Sequence, residues 1–113
     1  MEIKYKIWLE KNGKVIFGRG RDDILHAIEE KSSLNAAAKK LEMSYRAAWG
    51  RLKASEERMG IELVKASARK KTMNLTEQAR AIIDRFEKLE KEVERLLKAA
   101  EQDFQKLFRQ AGK

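Results

Sequence analysis

Cysteine is absent from this sequence of 113 residues, and histidine occurs only once. Without cysteine, neither a disulfide framework nor a cysteine-based zinc site can form. The single histidine, His26, follows Leu25 on a predicted core helix. The sequence shows no serine–histidine–aspartate set, carboxylate pair or metal-ligand cluster. We therefore expect a protein that is not an enzyme and that binds no metal and no cofactor.

Long hydrophobic runs are missing as well. No stretch approaches the roughly 20 apolar residues of a membrane span, and residues 1–6 lack the apolar segment of a signal peptide. Hydrophobic residues make up 42% of the chain and charged residues 39%, which allows one modest core. These features predict a cytoplasmic protein with no membrane partner, built as one compact domain with one additional element.

Positive charge exceeds negative charge, with 26 lysine and arginine residues against 18 aspartate and glutamate residues and a net charge of +8. Such a surplus favours a polyanionic partner, because each neutralised phosphate releases condensed counterions. Charge alone is equally compatible with a merely soluble basic protein. Its distribution is more informative, since residues 61–75 carry +3, whereas residues 1–60 carry +4 and residues 76–113 only +1. The highest positive density therefore lies in one short segment.

A β-hairpin is predicted near the N-terminus. Residues 3–9 alternate in polarity, and Asn12-Gly13 separates this run from the next, the dipeptide that a two-residue hairpin turn favours. A two-residue loop would place Trp8 opposite Phe17 and Leu9 opposite Ile16. Residues 18–21 are expected to form a flexible basic exit from the hairpin without a phosphate-binding motif.

Three helices are predicted to follow the hairpin. The first begins near Asp22, the second is capped by Ser33 and extends through Leu41, and the third is capped by Ser44 and ends at Gly60. Short helices separated by a tight turn are typical of a helix-turn-helix unit.

The third helix, about residues 44–58, separates into two faces at 100° per residue. Its predicted core stripe consists of Ala48, Leu52, Ser55 and Met59. The opposite face carries Arg46, Gly50 and Lys53, with Tyr45 and Trp49 at its boundary. Two cations, a glycine and flanking aromatics suit entry into the major groove of DNA, where arginine can donate to guanine and small residues permit close approach.

A basic hairpin is predicted after the third helix. Residues 61–65 and 72–75 have the character of two short strands, and the loop between them, about residues 65–71, carries Arg69, Lys70 and Lys71. These cations are sufficient to contact phosphates beside the third helix, in the position of a wing.

The last predicted element is a helix from residue 76 to about residue 108, roughly 50 Å long. Its apolar residues follow a near-heptad pattern that a single small domain cannot cover, so we expect a homodimer paired through this helix. The predicted dimerisation residues are Ile82, Phe86, Leu89, Val93, Leu96 and Ala100.

The segment of residues 33–49 resembles the N-terminal domain of ModE-type regulators, the molybdate-responsive repressors of the LysR-like class. The most specific part of this resemblance is the stretch Ser-Tyr-Arg-Ala-Ala-Trp at residues 44–49. Residues 60–64 resemble the step into the wing, and residues 74–79 resemble the entry to the linker helix. The resemblance implies a winged helix-turn-helix, double-stranded DNA as partner and dimerisation through the linker helix. The DNA contacts that it implies are Ser44, Tyr45, Arg46, Trp49, Gly50 and Lys53.

Two features depart from this resemblance. The sequence stops at Lys113, so we expect no oxyanion-binding domain and no effector site for molybdate in this chain. The wings of such regulators are often rich in glycine, whereas this one is Ala-Ser-Ala-Arg-Lys-Lys over residues 66–71.

The sequence thus predicts a mainly α fold with short β-hairpins, a winged helix-turn-helix with a long C-terminal dimerisation helix. The DNA-binding domain is expected over residues 1–75 and the dimerisation helix over 76–113. The predicted function is that of a sequence-specific transcriptional regulator. The alternatives are a low-specificity architectural DNA-binding protein and a protein-interaction module that uses the long helix.

Overall fold

The computed structural model describes residues 1–112, which form four helices and two separate antiparallel hairpins. The elements in chain order are β1 (Trp8–Lys11), β2 (Lys14–Gly18), α1 (Arg19–Lys31), α2 (Leu34–Lys40), α3 (Tyr45–Met59), β3 (Val64–Ser67), β4 (Thr72–Leu75) and α4 (Glu77–Ala111). The predicted fold class is confirmed: this is a mainly helical winged helix-turn-helix with a long C-terminal helix.

The helix-turn-helix begins and ends where the capping residues predict. Ser33 Oγ accepts a hydrogen bond from the backbone of Ala36 at 3.1 Å, and Ser44 Oγ accepts one from Ala47 at 3.0 Å. Gly60 ends α3 in the left-handed conformation, with φ of 72°. Each cap satisfies a backbone group that the helix itself leaves unpaired.

The start of α1 differs from the prediction. Residues 19–21 are the first residues of the helix and not a flexible exit. Arg19 pairs with Glu90 of α4 at 2.6 Å, and Arg21 Nε donates to Ser55 Oγ of α3 at 2.8 Å. Such tertiary contacts outweigh the roughly 1 kcal/mol by which a glycine disfavours a helix.

The register of the first hairpin also corrects the prediction. Asn12 and Gly13 form the turn with φ of 53° and 78°, but Trp8 pairs with Gly18 and Leu9 with Phe17, because a bulge follows Leu9. A bulge places one extra residue in one strand, and the consecutive apolar residues of this hairpin do not show where that residue is inserted. A Cβ at residue 18 would lie 3.1 Å from the Cβ of Trp8, which explains the glycine there.

Residues 3–7 do not belong to the strand that was predicted over 3–9. The backbone N–H of Ile3 donates to Glu101 Oε1 at 2.8 Å, so the N-terminal segment lies along the far part of α4. This segment therefore covers one flank of the long helix.

A single hydrophobic core joins the hairpin, α1–α3 and the beginning of α4. Its largest fully buried apolar side chains are Phe17, Ile24, Leu25, Ile28, Leu52 and Leu63. From α4, Ala79, Ile83 and Phe86 are also buried, and the Phe86 ring meets that of Phe17 edge-on at 5.1 Å. Phe86, one of the predicted dimerisation residues, is therefore almost fully covered within its own chain.

Beyond its first turns α4 leaves the core. The molecule is 69 Å long and has a radius of gyration of 18.3 Å, against about 13 Å for a compact chain of this length. The remaining predicted dimerisation residues are more accessible: Leu96 is 69% exposed, and Ile82, Leu89, Val93 and Ala100 are partly exposed. Phe104, Leu107 and Phe108 extend this apolar surface toward the end of the helix.

No helix within residues 1–112 combines the length and the hydropathy that a membrane crossing requires.

Candidate nucleic-acid interface

The exposed face of α3 is positioned by its own buried stripe. Ala48, Leu52 and Ser55 are buried, as the 100° periodicity predicts. Arg46 follows the Ser44 cap and lies in the first turn on the opposite side. It is exposed, and its guanidinium has no hydrogen bond or ion pair with any of residues 1–112. All five of its N–H donors are therefore available to a partner.

An aromatic pair lies beside Arg46. The rings of Tyr45 and Trp49 are stacked with centroids 6.4 Å apart and planes 10° apart. They were predicted at the core boundary, but they are exposed by 50% and 41%. Lys53 Nζ lies 4.5 Å from the centroid of the Trp49 ring, so the three side chains form a continuous row along the helix.

Gly50 lies between these side chains in the interior of α3. A Cβ added at this position would meet nothing within 4 Å. Packing within the chain therefore does not require a glycine here, although glycine costs a helix interior about 1 kcal/mol relative to alanine.

Lys53 reaches the same face but already has a partner in the chain. Its ammonium contacts Glu56 Oε1 at 2.8 Å, while Glu56 Oε2 accepts the backbone N–H of Leu63 at 2.7 Å. Burial opposes ionisation of Glu56, but the bonds from Lys53 and Leu63 prevail and hold the pKa of Glu56 below its usual value. Lys53 thus helps to fix the connection between α3 and the wing.

The wing begins later than predicted. Its first strand, β3, starts at Val64 rather than at residue 61, because Glu56 holds the preceding backbone at the end of α3. The strands pair in register from Val64 with Leu75 to Ser67 with Thr72. Ser67 Oγ accepts the backbone N–H of Lys70 at 3.3 Å and so shapes the tip.

The tip of the wing presents its cations to solvent. Arg69, Lys70 and Lys71 are exposed, and none forms an ion pair within the described part of the chain. Lys71 has a φ of 52°, in the left-handed region that glycine adopts most readily. In a glycine-rich wing, a glycine at this position would adopt the same conformation without strain.

A concave groove of about 380 Å³ connects the wing to the beginning of α3. Its walls include Asn35 of α2, Tyr45 of α3, and Ala68, Lys71 and Thr72 of the wing. The two regions predicted separately therefore form one continuous surface. Asn35 was missed, because a polar residue early in a short helix is not distinctive in sequence.

A second cationic cluster was also missed. Arg21, Arg51 and Arg58 come from α1 and α3, and Arg58 Nη1 donates to the carbonyl of Val15 in the hairpin at 2.6 Å. Burial and the neighbouring Arg58 and Arg51 lower the pKa of Arg21. Arg21 and Arg51 border a cavity of about 440 Å³. Tertiary folding brings Arg21 to Arg51 and Arg58, which lie 30 or more positions later in the chain, so no local pattern predicts the cluster.

A helix-turn-helix whose third helix presents an exposed arginine in its first turn, beside a basic hairpin, is typical of winged helix-turn-helix DNA-binding domains. Residues 23–80 match the model of the bacterial regulatory helix-turn-helix protein, lysR family. The chain belongs to this family.

Solved structures with the same fold include DNA complexes. The DNA-binding domain of CbnR in complex with DNA is 24% identical with a TM-score of 0.57, and the alignment covers 72% of this chain and 94% of that one. The BenM DNA-binding domain with benA site 1 DNA is 19% identical with a TM-score of 0.57, covering 74% and 94%. At these identities the likeness establishes the fold.

The likeness extends to longer regulators. ArgP from Mycobacterium tuberculosis is 26% identical with a TM-score of 0.51, and the alignment covers 69% of this chain and 30% of ArgP. Full-length CbnR in complex with its target DNA is covered over 26% of its length. The chain therefore spans less than a third of these full-length proteins. No curated protein sequence matches the chain significantly.

Proposed function

We propose that this protein is a sequence-specific, double-stranded DNA-binding transcriptional regulator that acts as a homodimer in the cytoplasm and is not an enzyme. Its recognition helix is α3, which enters the major groove, and its wing contacts the phosphate backbone. The observation that carries the proposal is the composition of the exposed α3 face, where three features occur together: an arginine with no partner among residues 1–112, an exposed aromatic pair, and a glycine whose Cβ position is unobstructed.

Arg46 is the proposed base-reading residue. It lies in the first turn of α3, the part of a recognition helix that contacts base edges in helix-turn-helix complexes. Two parallel hydrogen bonds from its guanidinium to O6 and N7 of a guanine would distinguish that base by about 1–3 kcal/mol. Tyr45 and Trp49 present apolar ring surface beside it, which suits contact with sugars and thymine methyl groups.

Gly50 and Ser44 would complete this face. Without a side chain, Gly50 allows the groove wall to approach the helix backbone, and Ser44 lies beside the phosphates that flank the first turn. Lys53 would contribute charge from its position over Trp49 while it remains paired with Glu56.

The wing cations Arg69, Lys70 and Lys71 are the proposed phosphate contacts. Contacts of this kind fix position and supply affinity but carry no sequence information. The groove between the wing and Tyr45 has room for the sugar–phosphate strand that would run between the two contact regions.

The homodimer would form along α4 beyond the core. Leu96 is largely exposed and lies on one stripe with Ile82, Leu89, Val93 and Ala100. A second copy of α4 would cover this stripe and place two recognition helices on two half-sites. Within the family, we propose a ModE-type DNA-binding domain over residues 1–75 and a dimerisation helix over 76–113.

The function can be tested with a duplex that the wild-type protein selects from a randomised library. Arg46→Ala should weaken binding to this duplex about five- to a hundredfold, as 1–3 kcal/mol implies, and should change binding to a scrambled duplex much less. Arg95→Ala removes the same charge from α4 and serves as the control. If Arg46→Ala weakens both duplexes equally, Arg46 is only a phosphate contact and base reading by it is excluded.

A further inference from the structure

A cluster of three titratable side chains lies away from the DNA-binding face, at the contact between α1 and α4. Asp22 and His26 are one turn apart on α1, and Glu87 approaches from α4. Their nearest ligand atoms, one from each side chain, all lie within 4.8 Å of one another. His26 Nε2 is 2.6 Å from Glu87 Oε2 and 3.7 Å from Asp22 Oδ1.

Asp22 is the unusual member of this cluster. Its side chain is completely buried, and neither carboxyl oxygen has a hydrogen-bond partner among residues 1–112. A buried carboxylate without a partner costs several kcal/mol, so buried acids are normally paired or bound to a metal. Burial, together with Glu87, raises the pKa of Asp22 to about 7.

Positive charge from the protein compensates this acid only in part, through Arg19. The nearest guanidinium nitrogen of Arg19 is 3.6 Å from Asp22 Oδ2, beyond hydrogen-bonding distance. The same guanidinium contacts Glu90 at 2.6 Å. The carboxylates of Asp22, Glu87 and Glu90 therefore outnumber the one guanidinium of Arg19 among them.

We propose that Asp22, His26 and Glu87 bind one divalent transition-metal ion of the zinc type, which ties α1 to α4. Imidazole and carboxylate ligands suit Zn²⁺ at about 2.1 Å, and three protein ligands leave a fourth position for water. At that bond length, the ligand atoms of a tetrahedral site are about 3.4 Å apart. This separation is close to the 3.7 Å between His26 Nε2 and Asp22 Oδ1. The ion would replace the shared hydrogen of the His26–Glu87 bond, and partly exposed Glu87 can retreat by the required fraction of an ångström.

Access and charge both favour a cation at this position. Glu87 borders a cavity of about 260 Å³ whose other walls include Glu90 and Glu94 as well as Arg19 and Lys91. A hydrated ion could enter through this opening, where three carboxylates face two cations, and keep one water ligand. The pattern was not predictable from the sequence, because Glu87 lies 61 residues after His26.

A metal ion at this site would affect how α4 is held against α1. Asp22 and His26 belong to the helix that packs on the helix-turn-helix, whereas Glu87 lies just beyond the last buried residue of α4. A bound ion would fix the direction in which α4 leaves the winged domain. This inference is independent of DNA binding, and its test requires no DNA.

The test uses the full-length chain without an affinity tag and ZnCl₂ as the probe. Because the protein has a single histidine, its imidazole gives one set of nitrogen resonances in a long-range ¹⁵N–¹H spectrum. We expect Zn²⁺ to shift the Nε2 resonance and to bind with a stoichiometry of one per chain in equilibrium dialysis. A hundredfold excess over the dissociation constant should raise the melting temperature by on the order of 10 °C.

The variants separate the proposed site from adventitious binding. His26→Gln and Glu87→Gln lie at partly exposed positions, and each should abolish the zinc-dependent rise in melting temperature. Asp22→Asn should do the same, whereas Asp23→Asn, the exposed neighbour on α1, should leave it unchanged. Unshifted His26 resonances at 100 µM zinc, or a rise that survives His26→Gln, would overturn the proposal.

Discussion

At the scale of single residues, Gly50 lowers the stability of α3 but favours the proposed contact with DNA. It lies in the interior of α3, where alanine is about 1 kcal/mol more favourable. No neighbour would obstruct a Cβ at this position. A glycine that the fold does not need is explained if another molecule approaches the helix backbone there.

We predict that Gly50→Ala raises the free energy of unfolding by about 0.5–1 kcal/mol and lowers the affinity for the selected duplex by about tenfold, which corresponds to 1.4 kcal/mol. Urea unfolding and fluorescence anisotropy measure the two effects. Gly20→Ala is the matched control, since a Cβ there is equally unobstructed but lies in α1. It should leave DNA affinity unchanged, and an unaltered affinity of Gly50→Ala would argue against close approach at α3.

Glu56 is the residue that connects the recognition helix to the wing. Its carboxylate contacts Lys53 at 2.8 Å and the backbone N–H of Leu63 at 2.7 Å, and its pKa lies below the usual value despite burial. Because the pKa of Glu56 is lowered in the folded state, the contribution of its carboxylate to stability is complete above the unfolded-state pKa of about 4.5. It is lost as the pH falls through the folded-state value.

We predict that Glu56→Gln destabilises the protein by about 1–3 kcal/mol at pH 7 and by less at pH 3, because the contribution of the carboxylate declines as the pH falls from about 4.5 through the lowered folded-state pKa. Denaturant unfolding at both pH values measures this difference. Glu57→Gln alters the exposed neighbour and should have little effect at either pH. An equal loss at pH 7 and pH 3 would show that the charge of Glu56 does not stabilise the fold.

At the scale of elements, helices with capping residues could be predicted from sequence. Ser33, Ser44 and Gly60 act within one turn of their own position, so their effect is local and visible in the order of residues. Asn12-Gly13 fixed the first turn in the same way. The division of α3 into a buried stripe and an exposed face also follows from its period alone.

The parts that could not be predicted depend on tertiary contacts. The bulge after Leu9 and the early start of α1 are set by packing across elements. Phe86 fitted a heptad seam as well as its neighbours did, and only the position of Phe17 shows that its ring belongs to the core. The arginine cluster and the Asp22–His26–Glu87 cluster likewise join distant parts of the chain.

The wing is the element whose role can be measured most simply. We predict that replacing Arg69, Lys70 and Lys71 with alanine weakens binding to all duplexes alike. The slope of log affinity against log salt should flatten by up to about three units, because each phosphate contact contributes close to one. Anisotropy titrations between low and moderate salt measure this slope.

The control for the wing removes the same charge elsewhere. Lys88, Arg95 and Lys106 are exposed on α4 and lie away from its apolar stripe at 100° per residue. Their replacement with alanine should leave the slope nearly unchanged. A slope that is unaffected by the wing substitutions would show that the wing does not touch DNA.

At the scale of the whole molecule, the projecting part of α4 exposes an apolar surface that a second copy would cover. Because Leu96 is 69% exposed, a charge there does not disturb the core of one chain. We predict that wild-type protein sediments at micromolar concentration with twice the 13.1 kDa mass of the chain. Leu96→Glu combined with Val93→Glu should yield folded monomers, because two charges would be buried in the seam.

The matched variant places a charge on the same helix outside the apolar stripe, about 80° or more from each of its residues at 100° per residue. Lys88→Glu should remain dimeric, and circular dichroism should show equal helix content in all three proteins. A monomeric wild-type protein at these concentrations would contradict pairing through α4.

The most direct test of the proposed function is the ratio of wild-type affinities for the selected duplex and for a scrambled duplex of the same length and base composition, measured at one physiological salt concentration. Specific regulators bind their sites at least about 10³-fold more tightly than other DNA. We predict a ratio of this size, with two chains bound per selected duplex. A ratio near one would indicate a low-specificity architectural protein, and the absence of binding to either duplex at low salt would contradict DNA recognition altogether.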